Sequence, residues 1–303
     1  MLLKLDMVSK SYGEKCVLDK FTVEFKEGIY GILGPNGAGK STLMNILTDN
    51  IRRDEGSITI DGAEILNMGK GYRGLIGYMP QEQGLYGAMS ARKYLYYVSA
   101  LKGLKKGEAK NQVEELLEVV GLRSVAHKKI KEFSGGMRQR TMMAGALLAN
   151  PKIIILDEPT AGLDPKERIK IRNFIAKLAM NRIVLIATHV VSDIECIAKK
   201  VLLLKEGKLI EIDTPYKLIE KVSDKAWEKQ CNEEEIIEYQ EKYGIGNVFQ
   251  RECGITLRVM QDECPKGFEK ARGNIGLEDV YLYYMEGESR LWQKQKELSM
   301  QNS

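Results

Sequence analysis

The sequence predicts an α/β fold: a mostly parallel sheet flanked by helices, with a helical insertion and a small α+β appendage. Three observations carry the prediction. Gly28–Leu33, Lys152–Asp157 and Ile183–Ala187 are short apolar runs rich in β-branched residues, the pattern of strands buried on both faces. Each is followed by a segment with apolar residues at helical spacing, so strand and helix alternate. Residues 90–148, by contrast, read chiefly as successive helices.

Taken in order, Leu2–Val8 reads as a strand, and Tyr12 follows in a turn with Gly13. A lone tyrosine in a turn is ordinarily surface or packing; it gains interest where a nucleotide base needs a flat partner. Phe21, Val23 and Phe25 alternate with polar residues, as in a half-buried strand. After Leu33 comes Gly34-Pro-Asn36-Gly-Ala-Gly-Lys40-Ser41-Thr42, which fits G-x-x-x-x-G-K-[ST]. The spacing has a chemical reason. Gly34, Gly37 and Gly39 reach backbone angles closed to other residues, so several N–H groups can turn inward on one anion. Lys40 can reach the β- and γ-phosphates, and Ser41 can offer its hydroxyl to Mg²⁺. The helix beginning here, with Leu43, Met44 and Leu47 on one face, adds its positive end.

Gly56–Gly62 is a short alternating strand closed by an Asp-Gly turn. Ile76–Gln81 reads as a strand ending at Pro80; alone, Gln81 reads as a solvent-exposed side chain. Ser90–Leu104 is a helix with Tyr and Leu on several sides, suited either to burial in a helical subdomain or to a groove for another protein. Glu108–Val120 is a second helix, stopped at Gly121. Ser134 caps a helix running to Leu148, and Gly135 and Gly136 lie in its first turn. Glycine there costs about 1 kcal/mol relative to alanine. Close approach to an anion would explain it, and a plain loop before a helix is the alternative.

Lys152–Asp157 ends in Asp157-Glu158-Pro159, two acids at the carboxyl edge of the sheet, where ligands of parallel α/β folds bind. An acid there can hold Mg²⁺ through water, and its neighbour can orient an attacking water. Asp164-Pro-Lys-Glu167 reads as a capping box opening a helix to about Met180. Ile183–Ala187 runs into Thr188-His189 at the same edge, while His127 sits in a basic turn. Ser192 and Glu195 read as the capping box of the next helix. Val201–Leu204 is a further strand, and Thr214-Pro215 caps a helix to about Val222.

Composition narrows the class. The 303 residues are 44% apolar and 29% charged, ordinary for a soluble globular protein, and no apolar run approaches a membrane span. A charge at Lys4 falls too early for a signal peptide, so a cytoplasmic protein is expected. The net charge of +4 is uneven. Residues 1–220 hold 34 basic and 26 acidic side chains, and residues 221–303 hold 12 and 16. The surplus suits a polyanionic nucleotide, and no dense basic stripe points to nucleic acid. Five cysteines without C-x-x-C spacing suggest free thiols in a reducing compartment.

Over residues 1–220 the sequence resembles the ATP-binding cassette (ABC) ATPases. Gly34–Ser41 is similar to Walker A, Gln81 to the Q-loop and Ser134-Gly135-Gly136-Met137 to the signature. Ile153–Glu158 resembles Walker B, Leu163-Asp164 the D-loop, His189 the switch histidine and Tyr12 the aromatic that stacks on adenine. The motifs occur in the family's order, with 93 residues between Lys40 and Ser134. The resemblance implies a P-loop ABC ATPase core with an antiparallel N-terminal subdomain, a helical subdomain at about 82–150, and ATP with Mg²⁺ as cofactors. It implies nucleotide contacts from Tyr12, Gly34, Asn36, Gly37, Gly39, Lys40, Ser41 and Thr42. It further implies Mg²⁺ at Ser41, Gln81 and Asp157, a general base at Glu158, and γ-phosphate contact from His189. Ser134, Gly135 and Gly136 would close over the ATP of a second, head-to-tail cassette. The signature departs from Leu-Ser-Gly-Gly-Gln at Phe133 and Met137, and Met137 lacks the hydrogen bonds of a glutamine.

Residues 221–303 are expected to form an accessory α+β unit: a helix over Glu233–Tyr243, a hairpin across Cys253-Gly254 and a helix over Gly276–Tyr284. Leu277-Glu-Asp-Val280 is similar to a late segment of exporter-type ATPase subunits encoded apart from their permease. The implied function is hydrolysis of ATP to drive export through a separate permease at the inner face of the cell membrane. The alternative is a soluble ABC-type ATPase of ribosomes or nucleic acid. The DNA-maintenance relatives need a long coiled coil before the signature, and the translation-associated ones carry two cassettes in one chain. A kinase or GTPase fits less well, because no N-K-x-D motif accompanies the phosphate loop.

Overall fold

The computed structural model describes residues 1–81, 86–252 and 254–285. Strands β1 (Leu3–Tyr12) and β2 (Lys15–Phe25) form an antiparallel hairpin, and β3 (Gly28–Leu33) enters a second sheet before α1 (Lys40–Leu47). β4 (Glu55–Ile60) returns to pair with β1, and β5 (Ala63–Glu64) pairs with β4. This four-stranded antiparallel sheet has the order β2-β1-β4-β5. Two short helices, α2 (Ile65–Met68) and α3 (Lys70–Leu75), lead to β6 (Ile76–Met79).

The insertion follows as α4 (Ala91–Leu101), α5 (Lys106–Val119) and α6 (Gly135–Leu147). Its own core holds Leu95, Val113, Leu117 and Phe133, each almost wholly buried. Each such side chain removed from water contributes roughly 1.5–3 kcal/mol. The Tyr-rich helix is buried on one side and exposed on the other. Tyr94 and Leu95 are buried, whereas Tyr97 and Leu101 are exposed and Tyr97 meets Tyr86 edge to face at 5.4 Å.

β7 (Ile153–Asp157), α7 (Pro165–Leu178), β8 (Ile183–Ala187), α8 (Val191–Ile197), β9 (Lys200–Lys205), β10 (Lys208–Asp213) and α9 (Pro215–Val222) complete the main sheet and its helices. Its order is β10-β9-β3-β8-β7-β6, parallel throughout except for β10 at one edge. Period-two alternation splits β3 between two cores. Tyr30 and Ile32 face the antiparallel sheet, and Ile29 and Leu33 belong to the core on the other side, which α6, α7 and α8 share. Edge strand β10 escaped the sequence reading because its half-buried residues are mixed with Lys208, Glu211 and Asp213.

Two predicted caps need correction. Asp164 does accept the Glu167 N–H at 3.0 Å, but the Glu167 carboxylate turns to Arg140 and Lys170 instead of reaching back. Helix α8 begins at Val191, so Ser192 and Glu195 make no capping box. Glu195 instead accepts the Leu277 N–H at 3.0 Å, the first turn of a helix far along the chain.

After α9 the chain forms β11 (Ala226–Cys231), α10 (Glu233–Tyr243), β12 (Asn247–Arg251), β13 (Gly254–Met260), β14 (Glu269–Lys270) and a helix α11 over 277–285. The sheet order is β12-β13-β11-β14, all pairs antiparallel. Cys231, Leu257, Val259 and Phe268 form its core beneath α10. The expected hairpin is present from Arg251 to Gly254; Cys253 lies outside the described residues. α11 turns back to the main sheet, and Leu277 and Val280 are wholly buried in the core on the α7–α8 side. Among the described residues, Cys16, Cys196, Cys231 and Cys264 are free thiols, and no helix is long and apolar enough to cross a membrane.

Candidate active site

A cleft of about 670 Å³ opens at the carboxyl edge of the main sheet. It is lined by Gly34, Pro35, Asn36, Gly37, Gly39, Lys40, Ser41 and Thr42 after β3, by Gln81 after β6, by Asp157 and Glu158 at the end of β7, and by His189 after β8. Val17 and Tyr281 complete the lining.

The loop after β3 is shaped by close backbone approach. A Cβ on Gly34 would lie 2.3 Å from the Leu204 carbonyl oxygen of the neighbouring strand, so no larger residue fits. Gly39 has φ +102°, and a Cβ there would lie 2.6 Å from the Val17 carbonyl oxygen. Gly39 is also the N-cap of α1 and places no capping side chain over it. The first-turn N–H groups of an eight-residue helix are thus left to a ligand at the cleft. The Lys40 ammonium spans the loop, donating to the Gly34 carbonyl at 2.6 Å and the Pro35 carbonyl at 3.0 Å. Burial holds it below its ordinary pKa, an effect opposed by the carboxylates of Glu158 and Asp157.

Asp157 is 8% exposed, and burial, reinforced by the Glu158 charge, pushes its carboxyl up against the opposing pull of Lys40. Glu158 follows with φ +50°, a left-handed conformation that costs a non-glycine residue about 1–3 kcal/mol. Three bonds hold it there. Its N–H donates to the Ala187 carbonyl at 2.8 Å, its carbonyl accepts from Gln139 Nε2 at 3.1 Å, and Oε1 accepts the His189 N–H at 3.0 Å. His189 Nδ1 lies 2.8 Å from the same Oε1, and Thr188 Oγ1 donates to Oε2 at 2.9 Å. Each carboxylate oxygen has two acceptor positions. Oε1 is thus filled, and Oε2 keeps one position for a further donor.

The structure brings Gly34 through Thr42, Gln81, Asp157, Glu158 and His189 together. Tyr12 stands apart: it ends β1, is 52% exposed and has Lys10 5.5 Å from its ring centre. Ser134, Gly135 and Gly136 also lie off the cleft, at the start of α6. Ser134 Oγ accepts the Met137 N–H at 3.3 Å, and Gly135 remains exposed while Gly136 is buried. Gly136 has a reason within the chain for its missing side chain, since a Cβ would meet Glu167 Oε2 at 3.2 Å. Phe133 and Met137, the two departures from the expected signature, pack into the core of the helical insertion.

Sequence reasoning missed Thr188, Gln139 and Tyr281. The chain position of Thr188, beside His189 at a strand end, was the one available signal. Thr188→Val removes both the donor to Glu158 and the acceptor of the Val190 N–H. It is expected to lower kcat about tenfold, with ATP affinity unchanged. Steady-state kinetics with a parallel binding titration check this, and an unchanged kcat would remove Thr188 from the site.

Comparison with known proteins decides the family. The family model described as ABC transporter matches residues 18–161. The linearmycin resistance ATP-binding protein LnrL of Bacillus subtilis (strain 168) is 35% identical over 215 residues, 70% of this chain and 69% of that protein. The chain belongs to the ABC transporter ATP-binding proteins. The Nod factor export ATP-binding protein I of Paraburkholderia xenovorans (strain LB400) is 34% identical over 219 residues, 72% of each chain. Among solved structures, the dimeric post-hydrolysis state of the ATP-binding cassette MJ0796, bound to ADP and Pi, superposes with a TM-score of 0.63. It is 29% identical, and the match spans 70% of this chain and 98% of that one. The sheet order, the helical insertion and the cleft are therefore those of an ABC ATPase, an enzyme that hydrolyses ATP.

Proposed function

We propose that this ABC ATPase energises export through a separate membrane permease. One observation carries the enzymatic half: Lys40, Asp157, Glu158 and His189, from the ends of three adjacent strands, face one cleft. Gly34, Asn36, Gly37, Gly39, Lys40, Ser41 and Thr42 bind the phosphate chain, and Lys40 moves from the loop carbonyls onto the β- and γ-phosphates. The free acceptor position on Glu158 Oε2 takes a proton from the attacking water, while Thr188 and the His189 backbone keep the carboxylate aimed. The His189 ring, 72% exposed, leaves Glu158 Oε1 to reach the γ-phosphate.

The cleft's donors fit Mg²⁺. The Ser41 hydroxyl, Gln81 and the Asp157 carboxylate all present oxygen, and the raised Asp157 marks a buried charge that a cation would relieve. Bound there, Mg²⁺ would neutralise charge on the transferring phosphate. Tyr12 reaches the adenine, and Ser134, Gly135 and Gly136 close over the ATP of a second copy. Their distance from this chain's own cleft supports a composite site, and the dimeric form of MJ0796 supports the second copy.

We propose further that residues 1–220 act as the cassette, with 82–150 its helical subdomain, and that 221–303 form the accessory unit. Exposed Tyr86, Tyr97 and Leu101 form the permease-facing surface. The roles named for the relatives, linearmycin resistance and Nod factor export, support export over a soluble role. The protein is thereby held at the inner face of the membrane. Co-purification of the tagged chain from gently solubilised membranes tests this. A multi-span protein at fixed ratio is the expected result; recovery with ribosomes or nucleic acid in the soluble fraction would overturn the transporter reading and spare the ATPase.

A further inference from the structure

We propose that Tyr281 is a nucleotide contact, through which the C-terminal sheet registers whether ATP is bound; this rests on reading the cleft as the nucleotide site. Tyr281 lines the cleft together with Pro35, Lys40 and His189, although it lies more than ninety residues beyond His189 in the chain. It stands on α11, which is fixed near both ends. Glu195 of α8 accepts the Leu277 N–H at 3.0 Å, and Lys205 at the end of β9 donates to the Tyr284 carbonyl at 3.4 Å. The helix thus runs from α8, which begins two residues after His189, to β9, which neighbours β3 and its phosphate loop. That course puts Tyr281 at the phosphate end of the cleft.

Three successive residues of α11 do three different things, because each step along a helix turns by about 100°. Asp279 faces the C-terminal sheet: Oδ1 accepts from Asn247 Nδ2 at 2.8 Å and Oδ2 from Arg258 Nη1 at 2.9 Å. Val280 is wholly buried with Val191 and Ile194 of α8. Tyr281 faces the cleft. A phenol can stack on a ring or donate to a phosphate or sugar oxygen. One rigid turn therefore links a nucleoside triphosphate to β12 and β13. By linkage, ATP stabilises this arrangement as much as the arrangement favours ATP.

The test uses the full chain in a Glu158→Gln background, so that MgATP stays intact. ATP affinity is measured for this parent and with Tyr281→Ala, Tyr281→Phe or Lys40→Ala added, alongside hydrogen exchange of segments 247–260 and 277–285. In the parent, ATP is expected to raise protection of both segments. Tyr281→Ala is expected to weaken ATP about tenfold and erase that protection, and Tyr281→Phe to fall between the two. If Lys40→Ala abolishes binding but Tyr281→Ala binds within twofold of the parent, the Tyr281 proposal is overturned and the site stands. ATP leaving both segments' exchange unchanged in the parent overturns it too, whether or not the alanine variant folds. If Lys40→Ala binds like the parent, the reading of the cleft itself fails.

Discussion

Glu158→Gln is expected to lower ATP hydrolysis by about 10²- to 10³-fold, the usual effect of removing one preorganised group from a transition state. ATP should remain bound. The substitution is nearly isosteric and the local bonds can be remade. The amide oxygen can still accept the His189 N–H, and the amide N–H₂ can donate to Thr188 Oγ1, which already accepts from Val190 N. What disappears is the basic position on Oε2. A fall in kcat without a fall in affinity is the signature of a group that acts only in the transition state. Lys40→Ala should differ, losing both hydrolysis and binding, because the ammonium meets the phosphates in ground and transition states alike. Single-turnover hydrolysis with a separate ATP-binding titration distinguishes the two. Near wild-type turnover by Glu158→Gln would sink its assignment as the base.

The cleft was legible in the sequence because phosphate chemistry restricts residue types locally. A loop that closes on Leu204 and Val17 backbone admits only glycine at 34 and 39, and the acids must end a buried strand. The partners that hold those groups left weaker marks. Thr188 and Gln139 act through single hydrogen bonds that any polar residue could offer elsewhere. Tyr281 depends on where a distant helix lands. The main sheet was legible through its apolar runs, whereas in the C-terminal sheet only the β12–β13 hairpin was, and β11 and β14 were not. In β11 Ala226 and Glu228 share one face, so a buried carboxylate occupies the place where alternation would show a large apolar residue. The capping box assigned to Ser192 and Glu195 failed for a related reason. A tertiary acceptor role, at Leu277, outcompeted the local one.

The buried carboxylate of β11 leads to the largest stability effect expected of any single substitution in the C-terminal sheet. Arg258, 3% exposed, donates from Nε and Nη2 to Glu228 Oε1 at 3.0 and 2.7 Å, and from Nη1 to Asp279 Oδ2 at 2.9 Å. Phe249 covers its guanidinium at 4.8 Å. Burial pushes the Glu228 carboxyl up, yet hydrogen bonds from Arg258, Arg251 and the Arg272 N–H outweigh this and leave it below its ordinary value of 4.5. Arg258→Met strands Glu228 and Asp279 with much of their compensation gone, and breaking such a buried pair costs about 3–5 kcal/mol. Replacing all three together, Glu228→Gln, Arg258→Met and Asp279→Asn, should cost less than Arg258→Met alone, since no uncompensated charge is left behind.

The pH dependence supplies a second sign to check. In the wild type, the depressed Glu228 contributes stability that is present above pH 4.5 and lost as pH falls through its lower folded value. In Arg258→Met the buried carboxyl no longer has its main partner, so protonation relieves it, and the deficit relative to wild type should shrink as pH falls through 4.5. Denaturant unfolding followed by Trp227, which donates to the Gln261 carbonyl at the end of β13, reads this sheet directly once Trp292 is replaced by phenylalanine. A deficit that stays constant as pH falls would mean that Arg258 stabilises the sheet by packing on Phe249 and not by holding the two carboxylates. ATP turnover by the same variant then reports whether loosening Asp279 reaches the cleft through α11.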